Sequence, residues 1–288
     1  MHWDMEGVCG LFRREQVWFW QEGVPPKVAR QGQDLLIADV NNAVEAALAA
    51  GVDELIVCDT HHGGGNIIPE RMLTDERVTY LCKPRGYQGA EYRWLPGLDE
   101  SVDGFMVPGH HAMAGTQRAF LPHTWMGFWS DFSINGQSVG EMGIEACFAA
   151  HWNVPLMMMS GDQFACAEAK QMFPGITTAC VKTAVDHDNC TGPDLDAARK
   201  LVARAVTRSI ENLRAGKCVP FAPELPMTVT IRMKEVEQAE TAAGRPGVER
   251  VDEFTVRGRL ERRCDVVNWV IGTGLNMSEP KPESPQKG

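Results

Sequence analysis

The chain has 288 residues, 44% of them hydrophobic, so it can bury a full core as one large domain or two modest ones. Its net charge is −10 and its lysines and arginines are scattered, which argues against a nucleic-acid partner or an anionic membrane surface. Nine cysteines occur without a CxxC pair, and no signal peptide or membrane span is recognisable, so we expect a cytoplasmic protein.

Strand and helix patterns alternate along most of the sequence. Apolar residues at helical spacing predict a helix over 27–50, and Gly51 follows at a C-cap position. The later elements are strands in DELIVCD and VDGFMVPG, a helix in GEMGIEACFAAHW, a strand in VPLMMMSG, a helix near 162–172, a strand in TTACVKT and a helix over 193–215. This order predicts an α/β fold, a three-layer α/β/α core around a largely parallel sheet.

The pattern changes after CVPFAPELP, within a proline-rich stretch at 217–226. Period-two alternation in MTVTIRMK and ERVDEFTVRG predicts strands, and a final helix is expected over about 260–275. We therefore expect an α/β metal-binding catalytic domain over 1–220 and a smaller α+β domain over 221–277. The central segment 84–131 can pack with either domain, and the tail 278–288 is expected to be disordered.

Four short segments carry metal-binding side chains directly after apolar runs: HWDMEG, LIVCDTHH, FMVPGHH and SINGQSVGEMG. Ligands of an open α/β sheet bind beyond the carboxyl ends of its strands, so we expect Asp4, Glu6, His61, His111 and Glu141 to converge there. Mixed imidazole and carboxylate ligands suit zinc, manganese, cobalt or nickel. Three carboxylates are too many for one catalytic zinc, so the set predicts two divalent ions per subunit, bridged by Asp4.

Each of these residues also has a simpler interpretation. Glu141 alone is typical of a helix N-terminus, and Asp59 can be a turn residue or can orient His61. The neighbouring His62 and His110 are expected outside the ligand set, either behind it or facing solvent. The three glycines after His62 are not followed by Gly-Lys-Ser/Thr, so they do not predict a nucleotide site.

The ordered motifs DMEG, DTHHGGGN, GHHA, His123 and NGQSVGEMG resemble the M55 peptidase family, the D-aminopeptidases of the dipeptide-permease operon. The resemblance implies that the five candidate ligands bind two zinc ions and that His123 is the catalytic histidine. It also implies a homodecamer of stacked five-membered rings with active sites facing an internal chamber.

Two departures from the family pattern are expected to matter. Only three residues precede Asp4, where relatives usually have a full strand, so either that strand is very short or the native start lies upstream. The Asp186, His187 and Asp188 triplet stands where relatives often have a basic and small-residue stretch, and it is expected to reshape the substrate pocket. His187 is interpreted either as part of another metal site or as a salt-bridged histidine in an exposed loop, and the second interpretation is favoured.

Other residues near these motifs remain open. The aromatic residues that flank His123 are interpreted as either the wall of an apolar substrate pocket or core and interface packing: Phe120, Trp125, Phe128 and Trp129. His2 and His151 have no predicted role.

The leading functional hypothesis is a dinuclear metallo-aminopeptidase acting on short peptides or aminoacyl amides, with a preference for an N-terminal D- or β-amino acid. One alternative is a metal-dependent amidohydrolase that cleaves a non-peptide amide. Another is a non-catalytic metal-binding homologue with the same fold. The presence of all five candidate ligands and His123 speaks against the last alternative.

Overall fold

The computed structural model describes residues 1–59, 61–82 and 95–271. Its strands are β1 (His2–Trp3), β2 (Leu55–Asp59), β3 (Val78–Tyr80), β4 (Phe105–Val107), β5 (Trp129–Ile134), β6 (Gln137–Ser138), β7 (Leu156–Gly161), β8 (Thr177–Cys180), β9 (Thr183–Ala184), β10 (Cys190–Thr191), β11 (Met227–Met233), β12 (Glu249–Arg250) and β13 (Thr255–Leu260). Its α-helices are α1 (Arg14–Val17), α2 (Pro26–Ala49), α3 (Glu141–Ala149), α4 (Gln163–Met172), α5 (Leu195–Arg214), α6 (Val236–Ala243) and α7 (Asn268–Ile271).

Parallel strands form the centre of the molecule. One parallel group has the order β1, β2, β3, and the other has the order β4, β7, β8. The two groups meet edge to edge, because the amide of Asp4, just after β1, donates to the carbonyl of Pro108, just after β4, at 3.2 Å. The predicted α/β class with a largely parallel sheet is confirmed.

Helices cover both faces of these strands. On β4, the side chains of Phe105 and Val107 belong to the core beneath α3 and α4, whereas Met106 belongs to the core beneath α2 and α5. This alternation follows from the period of two along a strand, and strands buried on both faces read as continuous apolar runs such as Leu156–Gly161. The core therefore has the expected three layers.

The helix boundaries have local causes in the sequence. Helix α2 begins with Pro26, which needs no amide partner, and Gly51 follows its end at φ +75°, a conformation that favours glycine. Helix α4 is capped by Asp162, whose carboxylate accepts the amides of Phe164 and Ala165. Asp194 caps α5 in the same way.

The remaining large sheet is antiparallel and draws on two distant parts of the chain. Its order is β12, β13, β11, β5, β6, and Ile231 of β11 faces Phe132 of β5 on one side and Val256 of β13 on the other. Strands β5 and β6, which precede Glu141, thus belong to this sheet and not to the parallel strands. The expected separation at about residue 220 remains a proposal, in which the hairpin of β5 and β6 completes the second sheet.

The chain end differs from its predicted pattern. The final helix predicted over 260–275 is wrong in its start, because Leu260 ends β13 and a short 3₁₀ turn precedes α7. Pairing with β11 places Leu260 in a strand, and the 3₁₀ turn Arg263–Asp265 follows, so the helix begins only at Asn268. The rest of that helix, the tail 278–288 and residues 84–94 of the central segment lie outside the described residues.

Within the described ranges, no helix combines the length and the apolar composition needed to cross a bilayer.

Candidate metal centre

The five predicted ligands lie together at the carboxyl ends of β1, β2 and β4. His61 Nδ1 lies 2.7 Å from Asp4 Oδ1 and 3.3 Å from Glu6 Oε2. His111 Nε2 lies 3.3 Å from Asp4 Oδ2 and 3.5 Å from Glu141 Oε2. The two oxygens of Asp4 therefore face two different histidines, one on each side, as the predicted bridging role requires.

The tautomers of the two histidines are set by backbone carbonyls. His61 Nε2 lies 3.1 Å from the carbonyl of Val17, and His111 Nδ1 lies 3.0 Å from the carbonyl of Ala112, so these nitrogens donate. In a neutral ring the other nitrogen then presents a lone pair to carboxylate oxygens, which also lack protons. An imidazole lone pair and a carboxylate oxygen repel each other in a buried site. Either a cation must lie between them or the imidazole ring must carry a second proton. This donor set therefore fits a metal ion, since ligating histidines usually donate their second N–H to such a carbonyl.

Without a metal ion, protons on the imidazole rings supply the positive charge that the carboxylates require. Burial alone would raise the pKa of Asp4, but its hydrogen bonds with His111 and His61 hold that pKa well below its ordinary value. Burial would lower the pKa values of His61 and His111, yet the surrounding carboxylates raise both well above the ordinary value. The pKa of Glu141 falls to about 2, because His111 outweighs the effect of burial. The site thus attracts positive charge strongly.

Close backbone contact brings β1 and β4 together at the site. Gly109 has φ +82°, and a Cβ placed there would lie 2.2 Å from the carbonyl oxygen of Asp4. A Cβ on Gly7 would lie 2.5 Å from the carbonyl oxygen of Ser160. Only glycine permits these approaches, which explains the Gly residues in DMEG and VPGHH.

The segment after Asp4 turns instead of continuing as a strand. The turn still brings Glu6 to the site, where Trp18 Nε1 donates to its Oε1 at 2.8 Å. The buried ammonium of Lys182 donates to the backbone carbonyls of Glu6, at 2.6 Å, and of Leu11. Sequence reasoning missed both Trp18 and Lys182, since neither lies near a ligand motif in the chain.

Asp59 organises the loop that carries His61. Its carboxylate accepts the backbone amides of His61, at 3.1 Å, and Asn66, at 2.8 Å, and the side-chain amide of Asn66 at 2.9 Å. The Asp59 carboxylate binds the backbone of His61, so Asp59 acts as a turn residue, which is one of its two interpretations, and does not orient the imidazole ring. His62 is exposed and stacks on Trp20, with ring centroids 3.8 Å apart.

His123 lies beside this group of ligands. Its ring stacks on His111 with centroids 3.9 Å apart, and Trp18 contacts it edge to face. The Nδ1 atom donates to the carbonyl of Leu121 at 2.9 Å, so Nε2 of the neutral ring carries a lone pair. Burial and the nearby His111 lower the pKa of His123, which keeps it neutral near pH 7. His123 can therefore accept a proton at Nε2.

The aromatic residues that flank His123 in sequence mostly belong to the core. Trp129 and Phe120 are buried in the two cores, and Trp125 and Phe128 pack against one of them. Trp125 has φ +57°, and its backbone amide donates to Glu141 Oε2 at 2.8 Å. The aromatic rings nearest the ligands come instead from a segment that the sequence did not single out, namely Trp18, Phe19 and Trp20.

Behind the predicted ligands lie three further ionisable residues: His2, His110 and Glu145. All three are buried, with exposed fractions of 1%, 1% and 0%. His2 has no predicted role, and His110 is expected outside the ligand set. A usable signal was nevertheless present, because Glu145 lies four residues after Glu141 and shares its helix face in an otherwise apolar helix.

The Asp186 to Asp188 loop braces the segment that carries His123. His187 Nε2 accepts the amide of Arg118 at 3.2 Å, and the His187 carbonyl accepts the amide of Leu121 at 3.0 Å. Asp188 forms an ion pair with Arg14 of α1. The loop thus connects α1, which leads into Trp18, with the backbone next to His123.

Comparisons with known proteins identify the family of this chain. A family model described as D-aminopeptidase, of the M55 peptidases, matches residues 1–271. A D-aminopeptidase of Bacillus subtilis (strain 168) is 28% identical over 249 residues, which cover 85% of each chain.

A solved structure, the Zn-dependent D-aminopeptidase DppA from Bacillus subtilis, described as a self-compartmentalizing protease, superposes with a TM-score of 0.83 at 24% identity. The match covers 97% of this chain and 100% of the other, and it shows a shared fold. The resemblance seen in the motifs is confirmed by the family match. The chain therefore belongs to the M55 family of D-aminopeptidases, which are hydrolases of peptide bonds.

Proposed function

We propose that this chain is a dinuclear zinc aminopeptidase that removes an N-terminal D- or β-amino acid from short peptides. The observation that carries the proposal is the position of Asp4, whose Oδ1 faces His61 and whose Oδ2 faces His111. Candidate ligand atoms form two separate groups around it, one with Glu6 and His61 and the other with His110 and His111, each within 4.8 Å. A single carboxylate between two imidazoles favours two ions over one.

In this proposal the ligands divide into two sets. Glu6 and His61 would hold one ion, His111 and Glu141 would hold the other, and the carboxylate of Asp4 would be shared by both sets. Zinc is supported by the mixture of imidazole and carboxylate donors and by the zinc dependence named for the structural relative. When bound, such ions supply Lewis acidity that polarises a carbonyl and lowers the pKa of water.

The other residues of the site position groups and move protons. His123 would accept at Nε2 a proton from the water that attacks the amide carbonyl and return it to the nitrogen that leaves when the C–N bond breaks, while the carbonyl of Leu121 fixes its tautomer. The backbone amide of Trp125 holds Glu141 in place, and Trp18 does the same for Glu6. Substrate binding thus meets a site whose side chains are already oriented.

We also propose a homodecamer of two stacked five-membered rings in the cytoplasm. Support for an assembly comes from the structural relative, which is described as self-compartmentalizing. Support for a reducing compartment comes from the nine cysteines, among which the structure has no disulfide. Sedimentation velocity of the purified protein measures the assembly, and a monomer at micromolar concentration would contradict this part.

Elemental analysis combined with aminoacyl p-nitroanilide hydrolysis tests the activity. We expect two ions per subunit and faster release of p-nitroaniline from D- or β-aminoacyl substrates than from the L-aminoacyl substrates. Metal without hydrolysis of any aminoacyl amide would instead support a binding protein. Hydrolysis confined to non-peptide amides would support an amidohydrolase.

A further inference from the structure

A buried carboxylate between two histidines lies directly behind the predicted ligands. Glu145 Oε1 lies 2.5 Å from His2 Nδ1, and its Oε2 lies 3.4 Å from His110 Nε2. Because Glu145 is fully buried, its charge is tolerable only if it is paired. His2 and His110 provide that pairing. We call these three residues the inner triad.

Each residue of the inner triad lies on a chain segment that also carries a predicted ligand. His2 lies two residues before Asp4 on β1, His110 lies next to His111 after β4, and Glu145 lies one helical turn after Glu141 on α3. Each member of the inner triad is therefore attached to a different ligand-bearing segment. His110 also reaches Asp4, with 4.0 Å between its Nδ1 and Asp4 Oδ2.

The contact of His2 joins β1 to a further element. Both side chains of β1 are buried. Its backbone pairs with β2 at His2 and Trp3, and the amide of Asp4 donates to the carbonyl of Pro108, so backbone hydrogen bonds join β1 to β2 and to the segment after β4. The contact between His2 and Glu145 adds a side-chain attachment from β1 to α3, across the interior.

His2 and Glu145 are in direct contact. The 2.5 Å between His2 Nδ1 and Glu145 Oε1 is a hydrogen-bond distance, so the two side chains join β1 and α3 without any other group between them.

We propose that Glu145, His2 and His110 are positioning residues, which hold β1, β4 and α3 in the arrangement that lets Asp4, His111 and Glu141 bind one metal ion together. This inference rests on the proposed function for the identity of that ion. It assigns the three residues no contact with substrate. Their effect is exerted through the backbone segments that they join.

The test uses Glu145→Gln, which keeps the shape but removes the charge, and Glu145→Asp, which keeps the charge on a shorter side chain. In the metal-free protein, hydrogen exchange of the peptide covering residues 2–7 should become faster in Glu145→Gln. Chelator competition should show zinc bound about 10- to 100-fold more weakly, as for other residues that support ligands. Glu145→Asp should recover part of both losses, and excess zinc should restore kcat in Glu145→Gln.

Cys147→Ala is the matched control, because Cys147 is buried on the same helix but its thiol contacts Met227, away from the ligands. It should lower overall stability without changing zinc affinity or exchange at 2–7 beyond the global change. Wild-type exchange and zinc affinity in Glu145→Gln would overturn the inference, as would equal losses in the control. If Glu145→Gln does not fold, His2→Gln gives the same readouts. A wild type that binds no zinc contradicts the proposed function, while the exchange result still decides the role of the inner triad.

Discussion

The imidazole rings of His111 and His123 stack with centroids 3.9 Å apart and planes 14° from parallel. This contact places a neutral proton acceptor, His123, against a predicted ligand. The backbone bond of His123 uses its Nδ1 atom, so its Nε2 atom stays available to accept a proton. A histidine held in this way can serve turnover without being needed for metal binding. The two roles can therefore be separated by substitution.

His123→Ala should lower kcat by roughly 100- to 10,000-fold, the usual contribution of a positioned acid or base, with metal content unchanged. Steady-state kinetics and elemental analysis of the same preparation measure both quantities. His151→Ala is the control, since His151 is an exposed histidine next to Trp152 and should keep full activity. Unchanged turnover in His123→Ala would remove this residue from the mechanism.

Asp4→Asn should weaken both metal ions, because the two oxygens of Asp4 face His61 and His111 separately. Glu6→Gln and Glu141→Gln should each weaken one ion only. Metal titration of the three variants, followed by calorimetry, distinguishes these results. Loss of one ion in Asp4→Asn with the other unchanged would show that Asp4 does not bridge.

Trp18→Phe should weaken zinc binding by about tenfold, because it removes the N–H that donates to Glu6 Oε1 and retains an aromatic ring near His123. Trp269→Phe is the matched control. Trp269 Nε1 donates to the carbonyl of Val266, away from the ligands, so its replacement should leave zinc affinity at the wild-type value. Equal zinc affinities in the two variants would argue against a supporting role for Trp18.

Glu168 predicts a specific dependence of stability on pH. Burial raises the pKa of this carboxyl to about 7, and its Oε2 accepts the amide of Met113, close to His111. The pKa of Glu168 is higher in the folded than in the unfolded state. Its contribution to the free energy of unfolding is therefore complete below about pH 4.5 and is lost as the pH rises through about 7. Glu168→Gln stays neutral, so its stability relative to wild type should increase across that window, by on the order of 3 kcal/mol at most. Denaturation curves between pH 4 and 8 measure the difference, and a constant difference would contradict it.

Much of the fold could be predicted because its local signals agree. The strands that are buried on both faces, such as β7, are continuous apolar runs, and α2 has both a helical pattern and a glycine at its end. The placement of β5 could not be predicted in the same way. Its pairing with β11 joins residues about one hundred positions apart, and no local pattern records which sheet a strand enters.

The convergence of the candidate ligands could be predicted from the sequence, but the residues that surround them could not. The order of motifs pointed to Asp4, His61 and His111, because each follows a strand whose end can be recognised. No recognisable strand end precedes His2 or Trp18. They contact their partners, Glu145 and Glu6, only after folding. Interactions of this kind depend on tertiary contacts and have no counterpart in residue spacing.

The buried amine of Lys182 can report on motion near the site. Burial lowers its pKa, and its Nζ is bound to the carbonyls of Glu6 and Leu11, so bulk solvent has almost no access to it. An acylating reagent that labels exposed lysines within seconds can reach Lys182 only when the turn between Glu6 and Leu11 opens. The rate at which this one lysine becomes labelled therefore measures how often the protein exposes the backbone beneath its catalytic centre.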